Sequence, residues 1–354
     1  MKIRLGLVGL GEAWQRRHAP ALHALSDRFE VRAVCEQVAH RAEYAAAEFG
    51  AATVGGFQAL VRRADIDALL ILSDQWYGPL PILAACDNRK AVYCAAGFDM
   101  PVEQAETICK HVDEAGIAFM AEFARRFMPG TLRLKELIAT ELGQPRLLFC
   151  HQRLGCDCEE RNRNGRTFAN SSRRELVELV DWCRYLVDQN PTSVTGQMHN
   201  CPNPGPDSTN SDSKQSASKT PDEEHDYQVL SLDFSEPEKF GSGPLAQISC
   251  SRYFPAQWQE ASNYRTPAAL QIVCANGIAF LDLPTTLIWY DEAGRHQESL
   301  ENERPVGELL LTHFHRAVTC LVRNRVDLDD ACRAISILQQ ARKSSAEGRR
   351  IMLT

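Results

Sequence analysis

The stretch Ile3-Arg4-Leu5-Gly6-Leu7-Val8-Gly9-Leu10-Gly11 decides the fold. A short β-like run ends in two glycines, and an amphipathic stretch follows through Leu22; this reads as strand, tight turn and helix. The next apolar run, Phe29 to Cys35, ends at Glu36, about 25 residues past the glycines, near the spacing at which a carboxylate meets a ribose 2′-hydroxyl. Glycines let the backbone approach a pyrophosphate, and a helix N-terminus offers unpaired N–H groups. Gly9, Gly11, Glu12, Ala13 and Glu36 are therefore the first candidates for a dinucleotide site. The third glycine of the G-x-G-x-x-G pattern is Trp14. Its indole is expected either to shift the helix or to project toward the pyrophosphate, and it puts cofactor occupancy in question.

Outward from this stretch, apolar strand-like runs at Asp67–Leu72, Ala91–Cys94 and Ile117–Met120 alternate with helix-like runs at Arg41–Phe49, Leu80–Cys86 and Val102–Ala115. That alternation predicts an α/β fold with a doubly wound parallel sheet over residues 1–122. The 354 residues, 44% hydrophobic and 24% charged, are enough for a second domain, 123–354. A net charge of −7 gives no basic field for nucleic acid or an anionic membrane. No run approaches the roughly 18–20 apolar residues of a membrane span, and the first residues lack a cleavable leader pattern, so a cytoplasmic protein is expected. Thirteen cysteines, several inside apolar runs, read as reduced thiols with no disulfide framework.

The sequence resembles the Gfo/Idh/MocA family, named for glucose–fructose oxidoreductase and inositol dehydrogenase. The likeness rests on Gly9-Leu10-Gly11 with Glu36, Val102-Glu103-Gln104-Ala105 leading to Gly116-Ile117, Arg125-Arg126-Phe127 with Pro129, and the segments His313–Val318 and Ser344–Gly348. It implies a second α/β domain with a large, mostly antiparallel open sheet, homodimer or homotetramer packing through that sheet, and a cleft site for NAD(P) and a sugar- or polyol-like ligand. Glu36 favours NAD over NADP, because a carboxylate repels a 2′-phosphate.

Two loops depart from the family. Its Glu-Lys-Pro tripeptide is replaced by Ala95-Ala96-Gly97, so Ala96 stands at the lysine position beside the cofactor. The loop after the fourth strand reads Ser73-Asp74-Gln75-Trp76, placing Ser73 among the cofactor contacts and Trp76, with Arg126, in the substrate cleft. On the second-domain helix, Glu178 replaces the family's histidine, Arg174 its earlier aspartate, and Asp181 fits its later one. Oxidising an alcohol needs a group to take the hydroxyl proton, worth roughly 10²–10⁴-fold in rate. Glu178, Arg174 and Asp181 are the candidates left, while Arg174 and Glu178 also fit the commoner arrangement of an i, i+4 surface ion pair. A non-catalytic sensor or subunit partner is the rival reading.

Ser172-Arg173-Arg174-Glu175 reads as a capping box opening that helix. Beyond it, β-like runs fall at Ser193–Gly196, Tyr227–Phe234, Leu245–Cys250 and Leu270–Leu281. Residues 201–226, polar and almost free of apolar side chains, read as a mobile insertion. Cys150, His151, Cys156 and Cys158 lack zinc-site spacing, and His313 and His315 diverge around a helix, so no metal is expected.

Overall fold

The computed structural model describes residues 1–73, 77–95, 100–156, 169–200, 225–255, 267–282, 285–320 and 326–353. The loop residues Trp76 and Ala96 and the body of the 201–226 insertion lie outside the described residues.

The chain divides into two compact units. One comprises Met1–Thr140, Asp282–Ile288 and His296–Ser336; the other comprises Glu141–Leu281, Trp289–Arg295 and Ile337–Thr354.

In the first unit, strands β1 (Ile3–Val8), β2 (Phe29–Cys35), β3 (Ala52–Thr53), β4 (Ala68–Ile71), β5 (Ala91–Cys94) and β6 (Phe119–Ala121) form a sheet in the order β3-β2-β1-β4-β5-β6. Every pairing is parallel. Strands β1, β4, β5 and β6 are buried on both faces, which is why they read as continuous apolar runs. Helices α1 (Ala19–Ala24), α2 (Ala39–Phe49), α3 (Phe57–Val61), α4 (Leu80–Asp87) and α5 (Val102–Ala115) connect the strands. After α6 (Pro129–Leu137), a later helix, α8 (Val306–Thr319), returns to the same core, where Leu310, Leu311 and Phe314 join Leu5, Leu7, Leu70, Tyr93 and Met120.

The second sheet has the order β14-β13-β12-β11-β7-β10-β9-β8-β15, built from β7 (Pro145–Cys156), β8 (Ser193–His199), β9 (Tyr227–Asp233), β10 (Leu245–Pro255), β11 (Leu270–Cys274), β12 (Ile278–Asp282), β13 (Thr286–Asp291), β14 (Gly294–Ser299) and β15 (Ile351–Met352). β7 and β10 run parallel, and the pairs β10–β9, β9–β8, β8–β15, β7–β11 and β11–β12 antiparallel. Helix α7 (Ala169–Val187) buries Leu176, Val180, Trp182, Cys183 and Leu186 in this unit, and packs on β7 and β10. On α9 (Val326–Glu347), Ser344 and Ser345 accept the backbone N–H groups of Gly196 and Met198 on β8, each at 3.0 Å. Gly196 must be glycine, since any Cβ would run into the Ala341 carbonyl.

The sequence reading differs from the structure in three local features. Helix α7 starts at Ala169, so Ser172 lies inside the helix, buried, and the capping box does not open it. The run Leu270–Leu281 is a hairpin rather than one strand: it turns at Asn276-Gly277, with Cys274 N–H donating to the Gly277 carbonyl at 2.8 Å. Cys109 and Cys332 are joined as a disulfide, whereas Cys35, Cys86, Cys94, Cys150, Cys183, Cys250 and Cys274 are buried and lie outside it. No described helix is long and apolar enough to cross a membrane.

Candidate dinucleotide site

The strand order of the first sheet reverses between β1 and β4, and in open parallel sheets ligands bind outside the carboxyl ends of the strands at such a point. Gly9 to Gly11 follow β1, Glu36 follows β2, Ser73 lies just beyond β4, and Ala95 follows β5. Main-chain bonds hold these ends together: Gly9 N–H donates to Cys35, Leu72 N–H to Val8, and Ala95 N–H to Ile71, at 2.8–3.0 Å.

Both glycines are required by geometry. Gly9 has φ of +68°, and a Cβ there would stand 3.0 Å from the Ser73 Cβ. Gly11 has ordinary backbone angles, but a Cβ would be driven into the Leu72 carbonyl oxygen. The turn is thus a cradle that any side chain would fill, which is the shape a pyrophosphate needs. The residues present fit a dinucleotide.

Glu36 is nearly buried and accepts the Leu10 N–H at 2.7 Å and the Val38 N–H at 3.3 Å. Arg41, in the first turn of α2, donates to the Leu10 carbonyl. The two peptides that flank Leu10 in the glycine turn are therefore each held by a charged side chain. The sequence reading missed Arg41, whose signal was its position five residues past Glu36.

Trp14 takes the first of its two expected courses. The segment Trp14–His18 winds as a π-helical turn, with His18 N–H reaching the Ala13 carbonyl at 3.3 Å. The indole is 5% exposed, sits in the core cluster and lies 5.7 Å from the Phe49 ring. A glycine would let the helix approach the strand; here the helix is rewound and the ring is packed beneath it. Glu12 is exposed and Ala13 half-exposed at the start of this turn.

A buried polar cluster at the end of β6 had no sequence counterpart. Glu122 donates its N–H to the Cys94 carbonyl at 2.8 Å, and its carboxylate accepts Tyr93 Oη–H at 2.6 Å, His18 Nε2 at 2.8 Å and the Arg17 guanidinium. Burial alone would raise the Glu122 pKa, but His18, Arg17 and Tyr93 overcome it and hold the carboxyl at about 2. Burial, then the Glu122 charge, push the Tyr93 phenol well above its ordinary value. His18 Nδ1 is buried without a hydrogen-bond partner.

The other expected site residues are engaged locally. Arg126 pairs with Asp330 at 2.7 Å and lies over the Phe123 ring at 5.1 Å. On α7, Asp181 is 1% exposed and pairs with Arg184 at 3.5 Å, while Arg184 also donates to Asn190 Oδ1 at 2.7 and 3.0 Å. Arg174 and Glu178 are half-buried one turn apart on the same helix. Cys150 and His151 point to opposite faces of β7: Cys150 lies 3.5 Å from Cys183 under α7, and His151 meets Ser249 at 2.8 Å. Strand alternation thus prevents the two from sharing a ligand.

The sequence profile of the oxidoreductase family with an NAD-binding Rossmann fold, GFO_IDH_MocA, matches residues 3–123. Residues 3–123 are thus similar to the NAD-binding domain of the Gfo/Idh/MocA oxidoreductases. An inositol 2-dehydrogenase of Saccharopolyspora erythraea is 29% identical over 199 residues, 55% of this chain and 56% of that protein. A 2,7-anhydro-N-acetylneuraminate hydratase of Escherichia coli is 23% identical over 59% of this chain and 56% of its own length. The chain thus matches little more than half the length of these curated relatives. The fold is shared along the whole chain with an aldose-aldose oxidoreductase from Caulobacter crescentus, at a TM-score of 0.78, 15% identity and full coverage of both chains.

Proposed function

We propose that this protein binds NAD in preference to NADP through residues 1–122, and takes a sugar- or polyol-like ligand. The observation that carries the reading is the glycine turn, closed on Leu72 and Ser73 and braced by Glu36 on Leu10. Gly9 and Gly11 leave room for the pyrophosphate, and the Glu36 carboxylate faces the ribose and disfavours a 2′-phosphate. The bound dinucleotide supplies the hydride acceptor. With Ala96 at the family's lysine position, the proton of an alcohol substrate goes to Glu178, steadied by Arg174. The relatives' names, inositol dehydrogenase among them, support the ligand class.

Titration calorimetry with NAD⁺ and NADP⁺ tests the first step. NAD⁺ is expected to bind in the micromolar range and more tightly than NADP⁺, with the preference lost in Glu36→Ala; tighter NADP⁺ binding refutes the placement of Glu36. Turnover on a panel of polyols and aldoses, abolished by Glu178→Gln, tests the second.

A non-catalytic role is the second reading, favoured by the commitment of Asp181 to Arg184 and of Arg126 to Asp330. Binding of NAD⁺ and a polyol without turnover supports it.

The working form we propose is a cytoplasmic homodimer or homotetramer. On β7, Leu148 and Cys150 are buried under α7, whereas Leu147 and Phe149 alternate to the other face; Phe280 and Tyr290 lie on that face of β12 and β13. Leu147 and Tyr290 are 38% and 41% exposed, an apolar surface for a second copy of the chain.

A further inference from the structure

Cys109 and Cys332 differ from the seven described buried cysteines that lie outside the disulfide. Both are half-exposed, one on α5 and the other in the second turn of α9, within the same compact unit. Their sulfurs are bonded across a sequence separation of 223 residues. Their Cα atoms stand 7.8 Å apart, wider than the roughly 4.4–6.8 Å that most disulfides span. The Cys332 sulfur also lies 3.9 Å from the Ala105 carbonyl oxygen on α5, so a reduced thiol has an acceptor in place. Asp330, two residues before Cys332, is the ion partner of Arg126.

We propose that Cys109 and Cys332 form a reversible thiol–disulfide site that takes low-molecular-weight disulfides as oxidant and thiols as reductant. In the oxidised state the bond ties the first turns of α9 to α5. In the reduced state the tie is released, and Cys332 donates to Ala105. The chemistry balances as two exchanges. One cysteine thiolate attacks the small disulfide and expels one small thiolate, leaving a mixed disulfide; the second cysteine thiolate attacks the protein sulfur of that mixed disulfide and expels the second. The two protein thiols lose two electrons and two protons, and the small disulfide becomes two small thiols. Half-exposure is what admits the attacking group, and in a reducing compartment a bond of this kind is a transient, sensing one. Because Asp330 rides on the tethered turn, the redox state also bears on the Arg126 ion pair.

The test equilibrates the full-length protein in buffers of reduced and oxidised glutathione at several ratios, traps thiols by alkylation and maps the peptides. A Cys109–Cys332 linked peptide is expected under oxidising ratios and is expected to vanish with excess reduced glutathione. Closing so long a loop should raise Tm by at least about 5 °C in the oxidised form. That difference should disappear in Cys332→Ser and, independently, in Cys109→Ala, so that one poorly folding variant leaves the other to decide. The proposal is overturned if no linked peptide forms at any ratio, if the link survives excess thiol without denaturant, or if the Tm difference persists in both variants.

Discussion

Replacing Glu122 by Gln keeps the size of the side chain and removes the charge on which Arg17, His18 and Tyr93 converge. The carboxyl is held at about 2 when folded, below the 4.5 ordinary for a glutamate. That depression corresponds to about 3 kcal/mol of stability near neutrality, similar to the cost of breaking a buried ion pair by removing one member. The sign follows from the depressed pKa: the stabilisation is fully present above pH 4.5 and is lost as pH falls through 4.5 toward 2. Urea unfolding of wild type and Glu122→Gln should therefore show a gap of about 3 kcal/mol at pH 5, shrinking to about 2 kcal/mol at pH 3.5. Tyr93→Phe, which removes one donor of the three, should cost about 1 kcal/mol. A gap that stays constant or widens on acidification would refute the reasoning, because it would mean that the folded carboxyl is not held ionised by its neighbours.

Gly11→Ala must displace the turn from the Leu72 carbonyl, so NAD⁺ affinity measured by calorimetry should fall at least about tenfold. Gly9→Ala, forced to hold a positive φ against Ser73, should lower stability by about 1–2 kcal/mol in thermal unfolding. Asp181→Asn leaves the buried Arg184 guanidinium without its carboxylate and should cost about 3 kcal/mol in urea unfolding, whether or not the protein turns over. Phe149→Glu on the open sheet face should convert an oligomer to monomer in sedimentation velocity while leaving NAD⁺ binding intact.

The alternation of strands and helices in the first unit could be read directly from the sequence, because parallel strands covered on both faces are apolar end to end, and their turns carry glycines that the backbone requires. Gly9 and Gly11 are legible for the same reason: one chain segment approaches another so closely that only one residue type fits. The hairpin at Asn276-Gly277 carried its own signal, an Asn-Gly pair within an apolar run. β14 escaped because this edge strand carries only glycine and polar side chains and resembles a loop, whereas β13, Thr-Leu-Ile-Trp-Tyr-Asp, carried an apolar run that the sequence reading missed. The π turn at Trp14 was legible only as a departure from the glycine pattern. Which way the indole would go depended on Phe49, 35 residues later, and nothing local to the turn fixes that contact.

Glu122 shows the deeper limit. Its three partners lie 29, 104 and 105 residues away, and each alone is an unremarkable residue of its segment. Tyr93 reads as a strand residue, and Arg17 and His18 as the polar side of a helix. Only the parallel order β1-β4-β5-β6, which brings the ends of β5 and β6 together and lays the turn after β1 across the same face, makes them neighbours. Once they are neighbours, the energetics reverse the expectation for each residue: a helix-surface arginine and histidine become the reason a fully buried carboxylate stays ionised. The cluster's Glu122 is bonded to the main chain of Cys94, the last residue of β5. Arg17 and His18 are thus held against a buried carboxylate at the end of β5. If that carboxylate braces the tip, Glu122→Gln should weaken NAD⁺ binding as well as stability, whereas Asp181→Asn should weaken stability alone; equal NAD⁺ affinity in both variants, measured by calorimetry below their unfolding temperatures, would reduce the cluster to a core feature with no bearing on the site.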